Sequence, residues 1–208
     1  MFIDCLSCGI ISSNVYVVAG NGGGVIIDCG CPAQKILEAV KKHKGHIKDV
    51  ILTHGHFDHV YYVDSIRELA GMKIHIHKND ADYLTDPFKN GLMFYQRHGV
   101  QGFKPADNLL NDEDILKFGD LEFRILHTPG HTPGSISIAV GNFVFTGDTL
   151  FHSSIGRTDF PGGSAEDIVN SIKNKLFTLP DNTVVYPGHG ESTKIEYEKR
   201  YNPFLNEL

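Results

Sequence analysis

The densest chemistry in this 208-residue chain lies in Thr53-His54-Gly55-His56-Phe57-Asp58-His59. Three imidazoles and one carboxylate within six positions suit zinc, iron or manganese, and none of them is a soft ligand. The His are mostly uncharged at neutral pH, so the cluster is not a solvated charged face. Nor does it read as core, because four polar groups would each need an internal partner. Three later segments each present one more ligand-type side chain. They are His131 in Thr128-Pro129-Gly130-His131-Thr132-Pro133-Gly134, Asp148 in Thr146-Gly147-Asp148-Thr149, and His189 in Pro187-Gly188-His189-Gly190. In every case a short apolar run ends and a Gly- or Pro-rich turn follows, as tight and unusual backbone requires.

The set comprises five His and two Asp. One ion takes about four to six ligands, so seven are more than a single metal uses. Two ions about 3.5–4 Å apart, sharing one carboxylate, would use them all.

These side chains converge only if the preceding strands share a sheet edge. Val15 to Val18 and Val25 to Ile27 read as strands around the turn at Asn21-Gly22-Gly23-Gly24. A helix is expected over 32–43, with Pro32 in its first turn and Ile36, Leu37 and Val40 on its apolar face. A buried strand follows at 50–52, then a helix through Val63, Ile66 and Leu69, and a strand at 73–77. Residues 79–111 show a helical pattern near 81–84 and then a long irregular stretch with Pro87, Gly91, Gly99, Gly102 and Pro105. Loops of that length are usually functional. Strands at 121–126, 135–140 and 142–145 precede a long loop. A helix is expected over 164–177 with Ser164 as its N-cap, then a strand at 183–186 and a helix near 193–201. Strands and helices distributed through both halves predict layers, with sheet inside and helices outside.

The order His54-x-His56-x-Asp58-His59, then His131, Asp148 and His189, resembles the metallo-β-lactamase superfamily over nearly the whole chain. The resemblance implies an α/β fold, a four-layer αββα sandwich of mixed sheets flanked by helices, as one domain over 1–208. It implies that His54, His56 and His131 bind one metal, that Asp58, His59 and His189 bind a second, and that Asp148 bridges. Within the superfamily, Gly147-Asp148-Thr149-Leu150-Phe151, Ser154 to Gly163, Thr128 to Gly134 and Asn202-Pro203-Phe204-Leu205 look like the glyoxalase II-like branch, in a short form. That branch hydrolyses S-acyl-glutathione thioesters. Two divalent ions, zinc first and iron or manganese next, would supply hydroxide at neutral pH to attack the thioester carbonyl. Asp58 and Asp148 are the candidate catalytic carboxylates.

The sequence also departs from that branch. The chain ends soon after His189, without the C-terminal helical domain that helps grip glutathione. Asn206 replaces a basic residue, and Glu191 replaces a Tyr. Arg157 matches a Lys that contacts glutathione, so it is a candidate substrate contact. Arg157 and Asp159 also suit a pair that holds the loop. Tyr61 either lines the pocket or packs. Asp28 either supports a ligand His or forms a turn, and His127 is a candidate support beside the site. His43 and His46 are expected to face solvent, and His75 and His77 to be structural. Residues 88–103, with Phe88, Met93, Phe94, Tyr95 and Phe103, form either a lid or a small satellite core.

Other readings stay open. A persulfide dioxygenase branch with one iron shares the Gly156-Arg157-Thr158-Asp159-Phe160 string and the same His/Asp set. A lactonase or other ester hydrolase of the superfamily is a third. The net charge of −6 argues against a nucleic-acid or anionic membrane surface. No apolar run is long enough to span a membrane. Met1-Phe2-Ile3-Asp4-Cys5 lacks the pattern of a signal peptide, so a cytoplasmic enzyme is expected, acting on a small molecule. Its four cysteines, Cys5, Cys8, Cys29 and Cys31, are expected to be reduced thiols.

Overall fold

The computed structural model describes residues 1–43, 46–95 and 101–205. The first half builds one sheet from β1 (Phe2–Ser7), β2 (Asn14–Ala19), β3 (Gly23–Ile27), β4 (His46–Ile51), β5 (Lys73–His77) and β6 (Asn108–Leu110), bonded in that order. The strands β1, β2 and β3 form an antiparallel meander, whereas β3 to β6 run parallel. Parallel neighbours need crossovers. Here these are α1 (Ala33–Val40), then α2 (Phe57–Val60) with α3 (Val63–Ala70), then the 78–107 connection with α4 (Leu92–Tyr95).

The second half supplies β7 (Ile115–Phe118), β8 (Leu121–His127), β9 (Ile136–Val140), β10 (Phe143–Gly147), β11 (Leu150–Phe151), β12 (Ser154–Ile155), β13 (Val184–Pro187) and β14 (Thr193–Lys194). Its main sheet runs β14-β13-β10-β9-β8-β7, and β11 pairs with β12 alone. Helices α5 (Ala165–Asn174) and α6 (Ile195–Tyr201) complete the chain.

Alternation along the strands separates three apolar layers. On β2, Val15, Val17 and Ala19 face the helices α1 and α3, while Tyr16 and Val18 face the second sheet. On β10, Phe145 points between the sheets and Val144 points toward α5, with Ile168 and Ile172. A strand with two apolar faces can only be an inner layer. The result is helix, sheet, sheet, helix, the expected sandwich.

Several local expectations change. α1 stops at Val40, short of 43. Residues 81–84 form turns, and helix appears instead at α4. α5 ends at Asn174 and a 3-10 turn, Leu176–Thr178, follows. Its cap is as expected, with the Ser164 hydroxyl accepting from Asp167 N–H. Residues 96–100, part of the expected lid, lie outside the described residues, as does Asn206.

The expectation of four reduced thiols is corrected: Cys8 and Cys31 form a disulfide, with Cα atoms 5.2 Å apart. Spacing along the chain suggests local pairs, but the meander decides. Ser7 pairs with Asn14 and Tyr16 pairs with Ile27, so the segments after β1 and β3 emerge at one end of the sheet. Cys29 is a buried thiol and Cys5 an exposed one. Among the described residues no helix is long and apolar enough to cross a membrane.

Candidate metal centre

The seven predicted side chains meet where the C-terminal ends of β4, β8, β10 and β13 come together. β4 runs out at Ile51 into the segment bearing His54 and His56, and α2 adds Asp58 and His59. β10 delivers Asp148 and β13 delivers His189. The sheets are tied here directly: Ile136 N–H donates to the Thr53 carbonyl. Asn14 on β2 donates its side-chain N–H groups to the Pro187 and Gly190 carbonyls, and the Tyr16 hydroxyl donates to Pro187. The His189 loop therefore belongs to one sheet and is gripped by the other. Gly188 has to be glycine, because a Cβ there would run into the Asp148 carboxylate and the His59 ring.

The donor atoms fall into overlapping groups, each gathered within 4.8 Å: His54, His56 and His131; His54, His59 and Asp148; Asp58, His59 and His189. Asp148 sits between them. One of its oxygens lies 3.5 Å from His131 Nε2 and 3.7 Å from His189 Nε2, and the other lies 3.3 Å from His59 Nε2. His59 Nε2 is also 3.3 Å from Asp58, and His189 Nε2 is 3.1 Å from Asp58.

Hydrogen bonds outside this group decide which nitrogen faces inward. The Arg157 carbonyl can only accept, so His131 Nδ1, 2.7 Å away, carries the proton and Nε2 offers a lone pair. Asp28 fixes two more rings. Its carboxylate accepts from His59 Nδ1 at 2.8 Å and from the Thr53 hydroxyl. That hydroxyl oxygen in turn faces His54 Nδ1 at 3.1 Å, leaving His54 Nε2 as a lone pair. Asp28 adopts φ +62°, a left-handed backbone unusual outside glycine, and accepts Thr53 N–H as well. It is therefore a support for two ring orientations, as well as a turn residue.

Electrostatics follow from the same packing. Burial, with His131 beside it, pushes the His56 imidazole down to about 3. Burial holds His54 well below its ordinary value and lowers His131. Burial works against charge on Asp148 and Asp58 too, but His59 beside them holds both carboxyls low. The three facing carboxylates of Asp58, Asp148 and Asp28 overcome burial and raise His59. A hydrogen bond to Asp58 does the same for His189.

A metal fits this donor set. His54 Nε2, His56 Nε2 and Asp148 Oδ1 are buried polar atoms without hydrogen-bond partners. His56 Nδ1 and His131 Nε2 face each other at 2.8 Å, too close for two lone pairs unless a proton or cation lies between them. The neutral imidazoles of His54, His56 and His131 beside ionised carboxylates suit a cation, and an ion held by His59 and His189 would displace their protons.

The family comparison agrees with this geometry. Residues 8–189 match the sequence model of the metallo-beta-lactamase superfamily. The chain belongs to that superfamily. Among relatives of this metallo-beta-lactamase-superfamily chain, "Probable metallo-hydrolase YqgX" of Bacillus subtilis is 38% identical over 95% of this chain and 94% of its own. "Hydroxyacylglutathione hydrolase GloC" of Haemophilus influenzae is 38% identical over 87% of this chain and 86% of its own. Of solved structures, the BLEG-1 B3 metallo-beta-lactamase superposes with TM-score 0.92 at 37% identity, covering 99% of this chain and 100% of that one. ETHE1 from Myxococcus xanthus gives 0.81 at 32%, covering 98% and 84%. TTHA1623, solved in a di-iron-bound form, gives 0.81 at 34%, covering 97% and 100%. The superfamily binds divalent metals, and this chain is a metallo-hydrolase-type enzyme by membership.

A cavity of about 560 Å³ opens above the centre, with His56, Asp58, His131, Asp148 and His189 in its floor. Arg157 lines it. Tyr61 does not: its ring packs against Tyr62 and Phe103, because α2 turns that face away from the cavity. His127 touches no donor. It stacks on His77 at 4.1 Å, and its Nε2 meets the Pro133 carbonyl, bracing the loop that carries His131. Phe94 and Tyr95, from the expected lid, line the cavity, whereas Phe103 packs against the helix-side core.

Sequence reasoning missed Asp80. Fully buried, it accepts from Gly55 N–H, Gly134 N–H and the Thr132 hydroxyl, joining two donor-bearing loops. The available signal was its place just after strand β5, the strand-end pattern of the other polar residues. Thr53 was visible in the motif, but its role needs the fold.

Proposed function

We propose that the chain hydrolyses small-molecule acyl thioesters, with S-acyl-glutathione as the reference substrate, using two divalent ions. The observation that carries this reading is the place of Asp148 between the two groups, 3.5 Å from His131 and 3.3 Å from His59. His54, His56 and His131 would hold one ion, Asp58, His59 and His189 the other, and Asp148 would bridge. Zinc suits these donors, as do iron and manganese. Ions bound there would bring the pKa of a water toward neutrality and so provide a nucleophile without Ser or Cys.

The protein's own contributions are orientation and exclusion of bulk water. Asp58, kept ionised by His59, lies in the floor and is placed to orient the attacking water. Asp28, directly for His59 and through Thr53 for His54, keeps the Nε2 atoms of both rings directed inward. The GloC relative, by its name, supports a thioester. A second reading, oxidation of glutathione persulfide at one iron, rests on the 156–160 string and the likeness to ETHE1.

Metal content separates the two, measured on protein purified without added metal or chelator. About two ions per chain with thioester cleavage are expected. One iron with persulfide-dependent oxygen uptake would overturn the hydrolase reading.

A further inference from the structure

We infer that the preferred substrate carries an apolar acyl chain or ring and fewer carboxylates than glutathione, and that Asp159 sets this preference. The inference rests on the thioester reading for the bond that breaks, but not for the group that binds. Water adds across the C–S bond: the acyl carbon gains the oxygen, and the thiolate leaves and takes up a proton. No oxidant is involved.

Beyond the donor side chains of the floor, the polar lining residues are Asn90, Ser154 and Arg157, while Ile11, Phe57, Phe94, Tyr95, Phe151 and Ile155 make a largely apolar wall. Ile11, Phe94 and Tyr95 leave 51%, 59% and 53% of their surface exposed. Large apolar side chains left wet around a reactive floor are the surface a ligand covers. Among the described lining residues, Arg157 is the one Lys or Arg. Its Nε and Nη2 each donate to Asp159 at 2.7 Å, a two-pronged pair, and its guanidinium carbon lies 3.9 Å over the Phe160 ring. That cation is already engaged on its edge and on its face. Against the described lining residues, a thiol with two carboxylates would bring charge to apolar wall and to a cation already paired with Asp159, losing hydration with little replacement. An alkyl or aryl group loses nothing there and dries the wall.

The test uses the metal-loaded full-length protein and S-acyl derivatives of N-acetylcysteamine, whose thiol is neutral. From acetyl through butanoyl to hexanoyl, kcat/KM should rise by up to about fourfold per methylene. The hexanoyl ester should exceed S-lactoylglutathione at least tenfold. The exposed pair I11S/F94S should flatten the rise. D159N, which frees Arg157, should improve S-lactoylglutathione relative to the acetyl ester by about two- to fivefold. That ratio is insensitive to a general loss of folded enzyme. Calorimetric titration with the non-hydrolysable S-hexyl-N-acetylcysteamine and S-methyl-N-acetylcysteamine gives a readout free of turnover, with the hexyl thioether expected to bind at least tenfold tighter. Thioester cleavage with no dependence on chain length overturns the inference and leaves the hydrolase reading standing. Hexyl preference in binding without cleavage of any thioester does the reverse.

Discussion

Asp28 and Asp80 are both buried carboxylates that follow parallel strands of the first sheet, yet they support the centre by different means. Asp28 accepts from a ligand-type ring, His59, and reaches a second, His54, through Thr53. It therefore sets which nitrogen each ring turns inward. Asp80 touches no ring. It accepts two backbone N–H groups and a hydroxyl from the loops holding His54, His56 and His131, and so sets the distance between those loops. The surroundings differ as well. The segment after Asp28 is pinned by the Cys8–Cys31 bond and by Cys29 N–H on the His59 carbonyl. Among the described residues, Asp80 is held by hydrogen bonds alone. Ring orientation and loop spacing are thus separable here, and mutations can separate them.

The largest effect is expected from removing the group that both halves share. D148A should lose at least one ion per chain by elemental analysis and about a thousandfold or more in kcat. Full metal content or retained activity would sink the assignment of the centre. Next comes the covalent anchor on the Asp28 side. Reducing the Cys8–Cys31 bond should cost roughly 3 kcal/mol in urea unfolding, the loop-closure contribution for a crosslink of this span. The C8S variant should show no response to reductant. A substitution at Asp80 should add to this loss without coupling, because the two sites share no partner. Third, D28N keeps the shape but turns an amide N–H toward donors, so metal affinity should fall 10- to 100-fold with little change in fold. An unchanged affinity in a competition titration would mean that Asp28 is only a turn residue.

The parts that were legible in the sequence share a cause. Five of the seven gathered side chains, His54, His56, His131, Asp148 and His189, sit in Gly- or Pro-marked turns after an apolar run, and Asp58 and His59 follow within three residues on α2, so strand end and donor are read together. Layering was legible because strands and helices are distributed through both halves of the chain. Asp80 was not, because its partners lie 25, 52 and 54 positions away and the stretch that follows it has no clear period. The Cys8–Cys31 pair was hidden because a chain read as cytoplasmic is expected to keep its thiols reduced, and because 23 positions separate the two residues. β1 was unreadable because an edge strand with Phe2 exposed carries little apolar pattern. Tyr61 had two readings in the sequence, pocket wall or packing, and the turn of α2 decides for packing against Tyr62 and Phe103.

The smallest expected effect is the most diagnostic of the comparison, because it has a sign. Burial pushes the Asp80 carboxyl up to about 6, against an ordinary 3.8, although Thr132, Gly55 and Gly134 all favour its ionised form. A group whose folded value is raised binds its proton more tightly in the folded state. Its contribution to stability is therefore fully present below about pH 4, declines as pH rises through about 6, and levels off above. D80N carries no such proton. It should destabilise by about 1–2 kcal/mol near pH 4, where an amide N–H replaces an acceptor. The difference should move in favour of D80N toward pH 7, by up to about 3 kcal/mol for the full two-unit shift, which removes the penalty and can reverse its sign. The measurement is the difference in unfolding free energy between the two proteins across pH 4–7, in which the other titrating groups cancel. A penalty that grows with pH would mean that the three hydrogen bonds outweigh burial. Asp80 would then hold its two loops as a charged clamp, with its ionised form favoured by Thr132, Gly55 and Gly134.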